Sequence, residues 1–139
     1  MSTTHQVSSS YEGGMKFNTE INGHEFFLDV AESDGGDNAG PRPKALLLTS
    51  LMGCTGMDVA ALLKKMQVEV ESFTMNCEAD LTDEHPKVYS EIRLTYLFNA
   101  KEEDYPKIEK AVKLSQEKYC GVSEMLKKVC PVHWEIQYL

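Results

Sequence analysis

The apolar segment from Ala45 to Leu63 constrains the fold more than any other part of the chain. Together with Pro41 and Pro43, which suit a first helical turn, it predicts a helix that ends at about Met66. A helix that is apolar on almost every face must be enclosed by other protein. A chain of 139 residues has little protein to spare for this, so we expect a second copy to cover part of the helix in a homodimer.

Cys54 stands in the middle of this helix, between Gly53 and Gly56. Each helical glycine costs about 1 kcal/mol relative to alanine, so we expect close contact there by another helix or a small ligand. Asp58 follows one turn later on the same face. A carboxylate in so apolar a helix needs a hydrogen-bonding partner.

Composition and charge exclude several function classes. The net charge of −8 and the absence of a clustered basic face argue against a nucleic-acid partner. The first ten residues are polar and show no signal peptide, which predicts a cytoplasmic protein. Thr49, Ser50, Thr55 and Asp58 interrupt the apolar segment, which therefore predicts a buried helix and no membrane partner.

Four cysteines in a reducing compartment predict free thiols. Their spacing contains no Cys-x-x-Cys pair, so we expect neither a metal site nor a bound cofactor. Cys77, on the apolar face of a strand, and Cys130 are interpreted as structural. Cys120 precedes a short helix, for which Ser123 is the predicted N-cap. The free N–H groups of that helix would lower the pKa of Cys120.

The pattern along the chain predicts an α+β fold of order βββ-α-ββ-αα-β with antiparallel pairing, in a single domain over residues 1–139. The first ten residues are interpreted as a loosely docked arm, followed by a β-meander with a hairpin turn at Asn22-Gly23. The polar segment Ala31 to Gly40 is either a solvated connector or a lid. The later strands are predicted over Val68 to Leu81, with a bulge near Glu71-Ser72, over Val88 to Phe98 with Val88 inward, and over Val132 to Tyr138. A helical stripe comprises Ile108, Ala111, Val112, Ser115 and Tyr119.

Three motifs resemble those of the OsmC/Ohr family, the osmotically inducible and organic hydroperoxide resistance proteins. They are Pro43-x-x-Leu46-Leu47 leading to Gly53-Cys54-x-x-x-Asp58, His85-Pro86 followed by Ile92-x-Leu94-x-Tyr96, and Tyr119-Cys120-x-Val122. The resemblance extends from about Tyr11 to Tyr138.

The resemblance implies an intertwined homodimer with two sites at its interface. It also implies a thiol-dependent peroxidase that reduces organic hydroperoxides to alcohols. Cys54 would attack the hydroperoxide and become a sulfenic acid, Cys120 would resolve it as a disulfide, and an external dithiol would restore both thiols.

Two departures from the family pattern leave other functions open. Met15 stands where the family's peroxidases carry an arginine, and Lys44 stands where they carry a glutamate. Arg42 and Lys44 are candidate supporting cations, because a nearby positive charge favours a thiolate. The alternatives are a non-catalytic dimer that binds a small hydrophobic ligand, and a redox sensor.

Overall fold

The computed structural model describes residues 3–139, which form two compact units, one ending at Leu47 and the other spanning Leu48–Leu139. Helices and strands occur in the predicted order, and the α+β class is confirmed. The single domain over residues 1–139 stays a prediction. The two units are described separately below.

The first unit is built on an antiparallel meander of three strands, β1 (Ser8–Tyr11), β2 (Phe17–Ile21) and β3 (His24–Leu28). Asn22 and Gly23 both have positive φ, 53° and 79°, as the predicted hairpin turn requires. The prediction of a loosely docked arm over the first ten residues was wrong for residues 8–10, which belong to β1, and residues 1 and 2 lie outside the described part of the chain. The four residues of β1 are exposed, and their backbone pairs with β2 without contributing apolar side chains to a core.

The loop that follows β3 is organised around the carboxylate of Asp29, a side chain only 2% exposed. Asp29 accepts hydrogen bonds from the backbone N–H groups of Val30 (2.8 Å), Asp37 (3.0 Å) and Ala39 (3.1 Å). Burial alone would raise the pKa of Asp29, but these three donors and the charge of Lys16 together lower it. The loop from Ala31 to Gly40, which was predicted to be either a connector or a lid, is therefore held by hydrogen bonds to one carboxylate.

The second unit packs helices against a second three-stranded sheet. Its elements are α1 (Leu46–Lys65, whose first two residues belong to the first unit), β4 (Ser72–Leu81), β5 (Tyr89–Asn99), α2 (Tyr105–Leu114), a π-helical turn (Ser115–Tyr119), α3 (Gly121–Lys127) and β6 (Val132–Tyr138). The strand order is β4-β5-β6.

One strand pairing differs from the prediction. β4 and β5 are antiparallel, as expected, but β6 runs parallel to β5. The helices between β5 and β6 form a crossover, and a connection of that length can return the chain to the starting end of the sheet. The sequence pattern fixes which residues of β6 share a face, but not the direction in which the strand runs.

Two further details of the strands were predicted wrongly. The register of β4 shifts between Asp80 and Leu81, at the opposite end of the strand from the bulge expected at Glu71-Ser72. Val88 lies just before β5 and is 44% exposed rather than inward. The alternation itself is confirmed, because Ile92, Leu94, Tyr96 and Phe98 are fully or almost fully buried. β5 is therefore the central strand of the core as well as of the sheet.

Helix α1 contributes one face to this core and leaves other apolar side chains exposed. Leu51, Val59 and Leu63 pack in the core, whereas Leu47 is 47% and Met57 is 76% exposed. Within residues 3–139, α1 alone is long and apolar enough to cross a membrane, a criterion that core helices of soluble proteins also meet. The predicted enclosure of α1 is therefore only partial within one chain.

Candidate functional site

Two cysteines and a carboxylate meet on one side of α1. The Sγ atoms of Cys54 and Cys120 and a carboxylate oxygen of Asp58 all lie within 4.8 Å of one another. Cys120 is buried, with 4% exposure, while Cys54 and Asp58 are half-buried. All four cysteines are free thiols. The fold thus brings together three of the residues that the sequence singles out.

Local helix geometry explains how these groups meet. Cys54 and Asp58 are four residues apart on α1 and therefore lie on the same face. The π-helical turn that follows α2 places Cys120 opposite them. In this turn the Cys120 N–H donates to the Ser115 carbonyl over five residues, at 2.8 Å. Such wide turns are rare and are frequently found at functional sites.

The π-helical turn also changes which side chains face inward. Ser115 and Gln116 are buried, whereas Tyr119 is 51% exposed, so the predicted inward position of Tyr119 was wrong. The α-helical period of 3.6 residues fails beyond Leu114, because each residue in a wider turn advances by a smaller angle.

Cys120 itself caps α3, which corrects the prediction for Ser123. The Ser123 N–H donates to Cys120 Sγ at 3.4 Å, so Ser123 is the donor rather than the cap. The expected lowering of the Cys120 pKa was also wrong. Burial, with smaller contributions from the nearby Cys54 and Asp58, raises the pKa of Cys120 to about 11, against the effect of the Ser123 N–H. Cys120 is therefore a neutral thiol at physiological pH.

Asp58 belongs to a chain of buried hydrogen bonds. The Ser115 hydroxyl donates to Asp58 Oδ2 at 2.9 Å and lies 2.7 Å from the Thr55 hydroxyl oxygen. Thr55 in turn lies 2.6 Å from the Tyr96 hydroxyl oxygen, to which Gln116 Nε2 donates at 2.7 Å. These contacts supply the partner that the sequence requires for a carboxylate in α1.

The same chain continues to the cap of α3. The Ser123 hydroxyl donates to Gln116 Oε1 at 2.7 Å, and the backbone N–H of Ser123 contacts Cys120 as described above. We call Thr55, Tyr96, Ser115, Gln116 and Ser123 the polar network. Among residues 3–139, no buried side-chain nitrogen or oxygen lacks a hydrogen-bond partner. The network therefore joins α1, which carries Cys54 and Asp58, to the π-helical turn and α3, between which Cys120 lies.

Sequence reasoning missed the polar network as a functional feature. A partial signal exists, because Thr55 interrupts the apolar helix and Ser115 lies on the apolar stripe of α2. Small polar residues at buried positions require partners. The sequence does not show which partners they find.

The two glycines beside Cys54 have different surroundings. A Cβ atom at Gly56 would lie 2.5 Å from Met75 Cε, so there is close contact there, but the contacting group is a side chain of β4 and not the expected helix or ligand. A Cβ atom at Gly53 would meet open space among the described residues. Of these two glycines, Gly56 is the closely packed one within the described part of the chain.

One cavity of the second unit lies away from the thiols. It measures about 820 Å³ and is lined by the last turns of α1, the start of β4 and the segment after β5, including Ala60, Phe73 and Ala100. Its lining includes neither Cys54 nor Cys120. Because the chemical groups lie elsewhere, we give this cavity no role in the site.

The other candidate residues belong to the first unit. Arg42 Nη1 donates to Asn38 Oδ1 at 2.7 Å and to the Gly40 carbonyl at 3.2 Å, so its guanidinium stabilises the loop around Asp29. Lys44 is exposed, and Met15 is 51% exposed. The supporting roles of Arg42 and Lys44 stay predictions.

Fold and site together define a class of α+β protein in which a long apolar helix holds one thiol against a second thiol and a carboxylate. Comparison with known proteins identifies the family. The model of the OsmC family, described as OsmC-like protein, matches residues 35–135, and the chain belongs to this family. The resemblance seen in the sequence is thereby confirmed.

Individual relatives agree with this assignment. Protein YhfA of Escherichia coli (strain K12) is 31% identical over 128 residues, which cover 88% of this chain and 90% of YhfA. A hypothetical protein from Aquifex aeolicus VF5 is 30% identical, with a TM-score of 0.81 and 99% of each chain covered. An organic hydroperoxide resistance protein OsmC from Legionella pneumophila shares the fold at 16% identity, with a TM-score of 0.71 and 97% of each chain covered.

Proposed function

We propose that this protein is a thiol-dependent peroxidase that reduces organic hydroperoxides to alcohols. One observation carries the proposal: Cys54 and Cys120, far apart in sequence, have their sulfur atoms within 4.8 Å of each other beside a carboxylate. A second thiol next to a reactive cysteine is typical of sites that form and resolve a sulfenic acid. Membership of a family that includes organic hydroperoxide resistance proteins supports the same reaction.

In the first step, Cys54 Sγ attacks the terminal oxygen of the hydroperoxide and the O–O bond breaks. Cys54 becomes a sulfenic acid, and the alkoxide leaves as an alcohol once it receives a proton. We assign that proton transfer to Asp58, which accepts the Cys54 thiol proton and passes it to the alkoxide. The proximity of the carboxylate to both sulfurs and its orientation by Ser115 support this role.

In the second step, Cys120 attacks the Cys54 sulfenic acid. The Cys54–Cys120 disulfide forms, and the hydroxyl leaves as water with the Cys120 proton. The high pKa of Cys120 suits this order of events, because a neutral, buried thiol is a poor competitor for the hydroperoxide. An external dithiol then reduces the disulfide and returns both thiols. The sulfurs must approach from their present separation to the bond length of about 2.0 Å.

A homodimer would complete the site. No atom of residues 3–139 lies within 4 Å of a Cβ built at Gly53, and the exposed Leu47 and Met57 leave apolar surface on α1 that a second copy would cover. An apolar partner surface over Cys54 would favour alkyl hydroperoxides over hydrogen peroxide, because burial of the alkyl group is favourable. We therefore propose a cytoplasmic homodimer that binds organic hydroperoxides, without a bound cofactor and without a nucleic-acid or membrane partner.

The test is steady-state turnover of cumene hydroperoxide with dithiothreitol as the dithiol. We expect turnover in the wild-type protein and in the Cys77→Ala, Cys130→Ala double variant, which retains only the two site thiols. Cys54→Ser should abolish turnover. Cys120→Ser should still release one alcohol per chain and accumulate a sulfenic acid that reacts with dimedone.

Other outcomes would identify the alternatives. Oxidation of both thiols without steady-state turnover would indicate a redox sensor. Unreacted thiols together with a co-purified apolar molecule would indicate a ligand-binding protein. Either result would contradict the peroxidase proposal.

A further inference from the structure

The site also has the composition of a metal-binding site, which the spacing of the cysteines in the sequence does not reveal. Two thiols and a carboxylate offer three ligand atoms within 4.8 Å of one another. This is the one such group of three or more among the residues that the structure describes. Thiolate and carboxylate ligands both bind Zn²⁺.

The geometry is close to what a tetrahedral ion requires. With zinc–sulfur bonds of about 2.3 Å, two thiolates on one ion lie about 3.8 Å apart. The sulfur atoms of Cys54 and Cys120 would therefore move together by about 1 Å at most. That movement is much smaller than the approach needed for a disulfide. The site can thus hold an ion with less rearrangement than its own oxidation demands.

We call Cys54, Cys120 and Asp58 the trio. Two hydrogen bonds that residues outside the trio donate to it resemble those that orient the ligands of a metal site. The Ser123 N–H donates to Cys120 Sγ, and the Ser115 hydroxyl donates to Asp58 Oδ2. Groups in such positions orient the ligands and tune their affinity for the metal. The Ser115 bond occupies one acceptor site on Asp58 Oδ2 and leaves further lone pairs of the carboxylate for an ion. Since Cys54 and Asp58 are half-buried, an ion can reach the site from their side.

We propose that the reduced protein binds one Zn²⁺ ion per chain through Cys54 Sγ, Cys120 Sγ and the Asp58 carboxylate. Three protein ligands leave a fourth position for water or an added small ligand. The positive ion would stabilise the two thiolates that form when it binds beside the Asp58 carboxylate. The proposal concerns the same atoms as the peroxidase reaction but does not depend on it.

Metal binding and oxidation would exclude each other. A Cys54 sulfur bound to Zn²⁺ is a weaker nucleophile towards hydroperoxide, and a Cys54–Cys120 disulfide has no thiolate to offer the ion. Binding requires loss of the two thiol protons, so the affinity should rise with pH. The ion would thus hold the reduced pair in an unreactive state.

The experiment titrates the reduced full-length protein with Zn²⁺ in the presence of a chromogenic chelator, and in parallel with Co²⁺. We expect one ion per chain and a thiolate-to-cobalt charge-transfer band in the near ultraviolet. Oxidation by diamide should remove both signals. The Cys77→Ala, Cys130→Ala double variant should bind as the wild type does, because neither residue belongs to the trio.

The ligand variants decide the outcome. Cys54→Ser, Cys120→Ser and Asp58→Asn should each weaken binding at least about 100-fold, and Ser115→Ala about 10- to 100-fold, as expected for an outer-shell partner. Binding of equal strength in the Cys54→Ser, Cys120→Ser double variant, or no binding by the folded reduced protein, would overturn the proposal. The titration contains no peroxide, so its failure is distinguishable from a failure of the peroxidase proposal.

Discussion

Each compact unit contains a carboxylate that is at least partly buried, and the two are held by different kinds of donor. Asp29, in the first unit, accepts three backbone N–H groups with both of its oxygens. Asp58, in the second unit, accepts one hydroxyl hydrogen bond from Ser115 among the described residues and lies beside two thiols. Asp29 has three of the roughly four acceptor sites of a carboxylate in use, whereas Asp58 keeps more capacity for a proton or an ion.

The difference separates a structural carboxylate from a chemical one. Backbone donors cannot move without unfolding their loop, so they fix the Asp29 charge permanently. A serine hydroxyl can rotate, and a thiol can give up its proton, so the surroundings of Asp58 can change during a reaction. Asp29 is also the more buried of the two, since Asp58 is only half-buried. The identity of the hydrogen-bond donors separates their roles.

The largest expected difference between the two carboxylates lies in the chemistry of the thiols. Asp58→Asn should slow hydroperoxide-dependent formation of the Cys54–Cys120 disulfide about 100-fold, the lower end of what a proton-transfer group contributes. Asparagine retains an acceptor for Ser115 but cannot take a proton. Stopped-flow loss of free thiol measures the rate.

Two matched variants serve as controls for this prediction. Asp29→Asn and Asp83→Asn, the latter in the exposed turn between β4 and β5, should both leave the rate of disulfide formation within about 2-fold of wild type. A rate in Asp58→Asn equal to that of these controls would remove Asp58 from the mechanism.

A smaller effect is expected where the polar network supports Asp58. Tyr96→Phe removes the hydroxyl that accepts from Gln116 and contacts Thr55. Leaving these buried groups unsatisfied should reduce the free energy of unfolding by about 1–3 kcal/mol. Urea unfolding measures it. Tyr89→Phe is the control, because the half-buried Tyr89 hydroxyl has no hydrogen-bond partner within residues 3–139 and its loss should change stability little.

Loss of the Asp29 charge should have a local and pH-dependent effect. The folded pKa of Asp29 is lowered, so its stabilising contribution is present above the unfolded value of 3.8 and is lost as the pH falls through the folded value. Asp29→Asn should therefore destabilise the protein at pH 7 and not at a pH below the folded pKa. Hydrogen exchange at the Asp37 and Ala39 amides should accelerate at pH 7. Unchanged exchange there would contradict the structural role of Asp29.

The smallest effect is expected from Cys120, whose pKa is raised in the folded state, whereas the pKa of Asp29 is lowered. The folded state holds the Cys120 proton more tightly than the unfolded state, where the pKa is about 9. Stability should therefore fall as the pH rises above 9, by less than about 1 kcal/mol up to pH 9.5. Thermal unfolding of wild type and Cys120→Ala across this range isolates the effect. A wild-type stability that rises with pH relative to the variant would contradict the raised pKa.

The sequence predicts α1, the meander and the inward faces of the sheet because their periodicity reflects local backbone geometry and burial. It also places Cys54 and Asp58 on one face, since their spacing is local. The parallel direction of β6 escapes prediction, because alternation is the same in both directions. The pKa of Cys120, which is raised where the sequence predicts a lowered value, depends on burial and on groups brought close only by folding.

The position of Cys120 illustrates what cannot be predicted from the sequence alone. Its helix break is visible in the sequence, but the π-helical turn that brings it to Cys54 is not. That turn arises because the buried Ser115 and Gln116 find partners on α1 and β5. Tertiary hydrogen bonds therefore override the local helical period at the point where the site forms.

The central claim is that Cys54 and Cys120 form one redox pair. The most direct measurement treats the fully reduced protein with one equivalent of cumene hydroperoxide, blocks the remaining thiols and maps the peptides by mass spectrometry. We predict a Cys54–Cys120 disulfide, with Cys77 and Cys130 alkylated. Recovery of Cys54 and Cys120 as alkylated thiols would contradict the claim.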